Sequence, residues 1–214
     1  KSPIHTIKGM LNIISEDHQS KIEAGVAEIL EHISGSADRL EALVASVLEY
    51  AKVSGEELKV VPVDLNPVVE SVLRDFDHLI NQAEGKISVE NSLPRIMGNT
   101  TQVYQIISNL VSNAIKYRDK KRPLEIKISL LEASNDREVC LAVIDNGQGL
   151  AKHQQEKIFR PFQRAHGKEI EGSGIGLACV KKLLEKIGGS IKLESQQGEG
   201  SSFIVYFKKA SQFS

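Results

Sequence analysis

The strongest constraint on how this chain folds lies in two interleaved apolar series near its start. Val26, Ile33, Leu40 and Val47 recur every seven residues, and Ile22, Ile29, Leu43 and Tyr50 follow a second series interrupted at Ser36. Such a pattern marks a bundle or coiled-coil seam, not a helix resting on a globular core. The spacing predicts one helix over residues 21–53, roughly 50 Å long at 1.5 Å per residue. A shorter helix precedes it, because Ile4, Ile7, Leu11 and Ile14 form one stripe at spacings of three and four. Ser2-Pro3 suits a first helical turn, whereas a proline inside a longer helix would kink it. A polar break at Glu16 to Ser20 separates the two helices. The short helix cannot cover the long seam alone. A hairpin over residues 1–54 that pairs into a four-helix bundle resolves this, and packing of the hairpin on the rest of the chain is the alternative. Ser54-Gly55-Glu56-Glu57 is the expected linker.

Residues 55–214 read as mixed α and β. Strands are expected over 59–63, 87–91, 124–131 and 139–144, and a closing hairpin over 191–194 and 203–207 turns at Gly198-Glu199-Gly200. Helices are expected over 66–83, from an Asn99 or Thr100 cap to Tyr117, briefly over 154–159, and up to Lys186 before Gly188-Gly189. The balance of 27 basic and 28 acidic residues leaves a net charge of −1, so no field selects nucleic acid as a partner. No apolar run is long enough to span a bilayer. Two cysteines, Cys140 and Cys179, make no disulfide framework and read as small core side chains, which fits a reducing, cytoplasmic setting.

Four features carry candidate chemistry. Asn109 and Asn113 share a helix face, with Lys116 and Tyr117 one turn on. Amide oxygens are hard ligands that suit Mg²⁺ beside phosphate, although two asparagines alone also read as a solvated or capping pair. Asp145-Asn146-Gly147-Gln148-Gly149 follows an apolar strand. It reads either as a hairpin turn or as a carboxylate at the mouth of a bare-backbone pocket, able to accept from an exocyclic amine. Gly172-Ser173-Gly174-Ile175-Gly176-Leu177 opens a helix, where backbone N–H groups and the helix dipole favour polyphosphate. Its spacing and surroundings fit a dinucleotide fold poorly. The polar, glycine-flanked segment 165–171 before it has a lid's composition, and Arg164 adds a cation nearby. Gly198-x-Gly200-Ser201-Ser202 is by itself an ordinary turn.

The order of these boxes, with Phe159-x-Pro161-Phe162 between the second and third, resembles sensor histidine kinases of two-component signalling over nearly the whole chain. The resemblance implies an α+β fold: the helical hairpin as a dimerisation and phosphotransfer domain, then an α/β sandwich whose mixed sheet is covered on one face by helices. It implies ATP and Mg²⁺ as cofactors. Asn113 would hold the metal, with Asn109 supporting it, and Asp145 would take the adenine amine. Lys116 and Arg164 would meet phosphates, Tyr117 would line the nucleotide, the glycine boxes (Gly147, Gly149, Gly172, Ser173, Gly174, Ile175, Gly176, Leu177) would wrap it, and Ser201 or Ser202 would back Asp145 through water. A homodimer, a response-regulator receiver domain and an upstream PAS- or GAF-like sensor are the implied partners. One departure matters. Only Lys1-Ser2-Pro3-Ile4 matches the tail of the family's phosphoacceptor motif, so the acceptor histidine belongs upstream of Lys1, and this stretch alone would not autophosphorylate. His5 lies on the wrong side of Pro3 to replace it, and Ser2 falls where the family often places a residue used in phosphatase activity. A nucleotide-poor signalling scaffold and a gyrase- or chaperone-type ATPase are the competing readings. The intact Asn, Asp and Gly positions argue against the first, and the N-terminal hairpin argues against the second.

Overall fold

The structure, a computed structural model, describes residues 3–17, 24–55, 59–90, 92–133, 135–163 and 172–210. Helix α1 (Pro3–Asp17) and helix α2 (Ala24–Gly55) form the hairpin. Lys8 bonds Asp38 at 2.7 Å and Glu41 at 2.9 Å, and His5 Nδ1 lies 3.1 Å from Glu41. Later residues of α1 thus meet earlier residues of α2, so the helices run antiparallel. Leu11 and Ala37 are buried between them. Ser36 interrupts the apolar series and not the helix, as expected, and its hydroxyl donates back to the His32 carbonyl at 2.8 Å. The helix also runs two residues beyond the expected end, through Ser54 and Gly55, while Glu56 and Glu57 lie outside the described residues. Tyr50 turns from the seam onto the second domain, where Lys182 Nζ sits 4.0 Å from its ring centroid and donates to its carbonyl at 3.2 Å.

The rest is a sandwich of two layers. Its sheet has the order β2-β4-β5-β7-β6, built from β2 (Lys86–Val89), β4 (Glu125–Leu131), β5 (Glu138–Asp145), β6 (Ser190–Gln196) and β7 (Gly200–Lys208). β2 pairs with β4 in parallel and every other pairing is antiparallel, so the sheet is mixed as expected. Alternation along the central strands sends Leu141, Val143, Phe203, Val205 and Phe207 to one face. There they pack under α3 (Leu65–Gln82), α4 (Thr100–Lys116) and α6 (Gly176–Lys186). Cys140, Ala142 and Ile204 point to the other face, and Cys179 is buried under α6, so both cysteines are core residues.

One strand went unread. β3 (Arg95–Gly98) pairs antiparallel with β1 (Val61–Asp64) in a separate two-stranded ribbon. Its four residues show no apolar alternation, and its shape is set by its partner and by a bridge from Ile96 to Lys209. The expected helix over 154–159 is instead a short α5 (Lys152–Gln155) followed by a single 3₁₀ turn, Lys157–Phe159.

Candidate nucleotide site

The chain builds its helix starts in two ways. At α3 the Asp64 carboxylate accepts from Asn66 N–H at 2.9 Å, and at α4 the Asn99 side chain accepts from Gln102 N–H at 3.3 Å. At α6 the preceding residue is Ile175, which offers no side-chain acceptor. Its first-turn N–H groups have no intrahelical carbonyl to bond. They open beside a cavity of about 180 Å³, walled by Leu150, Ile158, Leu177 and Phe203.

Into this cavity α4 brings Asn109, Ser112, Asn113 and Lys116, and Tyr117 follows at its C-cap. Asn109 Nδ2 donates to the Gln105 carbonyl at 2.9 Å, which fixes its amide with Oδ1 toward α6. A Cβ at Gly176 would come within 2.6 Å of that oxygen, so the close approach of α6 to α4 requires glycine there. The Asn113 amide nitrogen is buried with no hydrogen-bond partner. Amide nitrogen and oxygen are told apart by their partners alone, so this orphaned group fits an amide that turns its oxygen to a hard cation. Lys116 Nζ lies against Gly172 and 5.2 Å from the Tyr117 ring centroid.

Asp145 ends β5, is 9% exposed and faces Ser201 in the ladder. Its Oδ1 accepts from Gly147 N–H at 2.8 Å. Burial is the largest influence on the carboxyl and pushes its pKa up to about 6, against the Gly147 and Ser201 N–H groups and the Arg122 charge, which pull it down. It is therefore ionised at neutral pH, in a dry place, with acceptor capacity left over. Gly149 takes φ +61°, and a side chain there would overlap the Gln196 carbonyl, so the loop after Asp145 closes directly onto the end of β6.

The expected residues are sorted by this geometry. Asn109, Asn113, Lys116, Tyr117, Asp145, Gly149, Gly172, Ser173, Gly174, Gly176, Leu177 and Ser201 line one cavity. Gly147 stands behind Asp145 as a donor, and Ile175 is buried in the core beneath the glycine box. Ser202 does not line the cavity: it pairs with Ile144, and strand alternation turns it to the opposite sheet face from Ser201. Ser2, Arg164 and the segment 165–171 lie outside the described residues. The sequence reading missed Ser195, whose hydroxyl donates to Gly200 O at 2.8 Å and accepts from Leu150 N–H at 2.8 Å. With its one proton so used, its 3.0 Å contact to Ser201 is donated by Ser201. No local pattern announces Ser195, whereas Phe203 was legible from alternation with Ser201.

A buried carboxylate, apolar walls, an amide pair with a lysine and an uncapped helix start together define a site for a flat base carrying a polyanion. Residues 98–211 match the family described as Histidine kinase-, DNA gyrase B-, and HSP90-like ATPase, more than half of the chain, which therefore belongs to that family. Its relatives include proteins named as sensor histidine kinases and as phytochromes. The chain is 33% identical over 205 residues to Cyanobacterial phytochrome B of Nostoc sp. strain PCC 7120, covering 95% of this chain and 27% of the relative. It is 29% identical over 208 residues to Sensor histidine kinase ZraS of Escherichia coli K12, covering 96% of this chain and 42% of that one. Among solved structures, full-length ShkA in complex with AMPPNP superimposes with a TM-score of 0.71 at 25% identity, over 98% of this chain and 44% of that one. The chain thus spans about a quarter of the phytochrome relative and under half of the others.

Proposed function

We propose that this chain is the core of an ATP-dependent protein-histidine kinase, with residues 55–214 binding Mg-ATP and residues 1–54 forming the dimerisation and phosphotransfer hairpin. The observation that carries the reading is the single cavity joining ionised, buried Asp145 to the Asn109–Asn113–Lys116 face and the uncapped start of α6. Asp145 accepts the adenine amine, Ser201 supports it from the next strand, and Tyr117 with Leu150 and Phe203 excludes water from the ring. Lys116 and the first N–H groups of α6 neutralise phosphate, which is most of what phosphoryl transfer asks of a protein. Asn113 is the residue that would hold Mg²⁺, with Asn109 supporting it, and the ion would supply charge neutralisation and orientation of the phosphates. Arg164, outside the described residues, would add a further phosphate contact.

The acceptor is a histidine upstream of Lys1, whose imidazole nitrogen bonds to the γ-phosphorus as the bridging bond to ADP breaks. The phosphoryl group then passes to an aspartate on a response-regulator receiver domain, and Ser2 falls at the position the family often uses when water hydrolyses that phospho-aspartate to release phosphate. A homodimer through residues 1–54 is supported by the exposure of Ile29, Ile33, Leu40 and Val47 along α2. An upstream sensor of PAS or GAF type and a cytoplasmic location complete the reading, and no helix among the described residues is long and apolar enough to cross a membrane. The test of the site is calorimetric titration with ATP, with and without Mg²⁺. Binding that Asp145→Asn abolishes supports the reading, and binding insensitive to Asp145 overturns it.

A further inference from the structure

Arg122 lies in the connection between α4 and β4, outside the cavity lining, with its side chain 35% exposed. Its Nη2 donates to the Gly147 carbonyl at 2.8 Å and to the Gly198 carbonyl at 2.7 Å. An Nη2 carries two hydrogens, and both are used. The two acceptors belong to separate segments. Gly147 is in the loop after β5 and gives its own N–H to Asp145, whereas Gly198 is in the β6–β7 turn that leads into Ser201. Gly198 N–H also donates to Gln148 O at 2.7 Å, so the loop and the turn are tied twice. Without a donor between them, the two carbonyls would each lose a partner across the same narrow gap. The guanidinium Nε is buried with no hydrogen-bond partner, and Asp119 at 3.7 Å is too distant to provide one. The fork is therefore held by the two carbonyls, not by its carboxylate neighbour.

Resting on the nucleotide reading above, we propose that Arg122 is a positioning residue for base recognition: by bridging Gly147 and Gly198 it holds the loop and the turn that carry Asp145 and Ser201 in register for an adenine. Its positive charge also favours the ionised form of Asp145, which is the form that accepts from an amine. Arg122 ties backbone on the Asp145 side of the cavity and lies outside its lining, so its contribution falls on the base and not on the polyphosphate. Lysine keeps the charge but ends one bond short of Nη2 and lacks the planar fork, and methionine keeps only the stem.

The test titrates the full chain with Mg-ADP, and with Mg-GDP by competition, for wild type, Arg122→Met, Arg122→Lys and Asp145→Asn. The expected result is ADP binding weakened about tenfold or more in Arg122→Met, with GDP binding unmoved and Arg122→Lys, which keeps the charge without the bridge, between Arg122→Met and wild type. ADP affinity unchanged in Arg122→Met, or ADP and GDP falling together, would each overturn the proposal. Arg122→Gln replaces the methionine variant if the latter is unfolded at the assay temperature, with the same expectations. A wild type that binds no ADP overturns the nucleotide reading and this proposal with it. Loss in Asp145→Asn without loss in Arg122→Met overturns this proposal alone.

Discussion

The hairpin and the sandwich draw on the same aliphatic residues and spend them differently. In the sandwich, Ile106, Leu110, Ile126, Leu141 and Phe207 are almost wholly removed from water. Along the hairpin, Leu11 and Ala37 are buried while Met10, Ile13, Ile29, Leu40 and Leu48 are at least half exposed. Monomeric proteins rarely leave so large an apolar surface uncovered. The sandwich buries its apolar core and keeps the cavity beside α4 and α6 open, whereas the hairpin leaves most of its described apolar side chains uncovered. That difference is what the two proposed roles rest on: a unit that would hold a small molecule by itself, and a unit that would work only when paired.

The sharpest way to test this separation is through Asp145. In Asp145→Asn the Gly147 and Ser201 N–H groups claim the single amide oxygen, which leaves the amide's own donors facing the base. Nucleotide affinity should fall about a hundredfold or more, read by calorimetry. Stability should move the other way. The folded carboxyl titrates near 6 and the free group near 3.8, so the folded state holds the extra proton between these values. Unfolding free energy therefore falls as pH rises through that window, and at pH 7.5 the whole penalty, up to about 3 kcal/mol, is present. Removing the charge should raise the melting temperature by a few degrees, seen by calorimetric scanning at pH 7.5 and absent at pH 3.5.

A double change on the hairpin, Leu40→Glu with Val47→Glu, should give the complementary result. Sedimentation should report monomer in place of dimer, with ADP affinity within about twofold of wild type. A variant that loses dimer and nucleotide together would break the proposed separation. Asn113→Ala should bring ATP affinity in Mg²⁺ down to the value seen with chelator, about tenfold, and leave the chelator value unchanged. A smaller effect is expected of pH on the wild type. ADP affinity should be flat above pH 7 and weaken by at most about tenfold per unit below 6, as Asp145 takes up a proton. Asp145→Asn should lack that component. Smallest of all, Lys8→Ala removes exposed ion pairs to Asp38 and Glu41 and should leave dimerisation and nucleotide binding where they were.

The same contrast explains what was legible in the sequence. Asn109 and Asn113 could be read because a helix brings residues four apart onto one face, and the α2 seam could be read because a seven-residue repeat is local. Asp145 and the glycine boxes were legible from their place beside strand and helix ends. β3 was not, since its four residues carry no periodicity and its form comes from β1, more than thirty residues earlier. Ser195 and Arg122 were invisible for the same reason: each acts through backbone groups that only the folded sheet brings to it. Ser202 shows the limit of a motif without register. Two adjacent serines look equivalent in a string, and the pleat of β7 admits one of them to the cavity.

The most direct test of the account is phosphorylation itself. A chain extended upstream through the acceptor motif, incubated with Mg²⁺ and γ-labelled ATP, should acquire an acid-labile, base-stable phosphate that disappears in Asn113→Ala and in the 214-residue chain beginning at Lys1. Label in the 214-residue chain would place the acceptor at a histidine within it and contradict the assignment, and no label in the extended chain despite ATP binding would contradict the kinase.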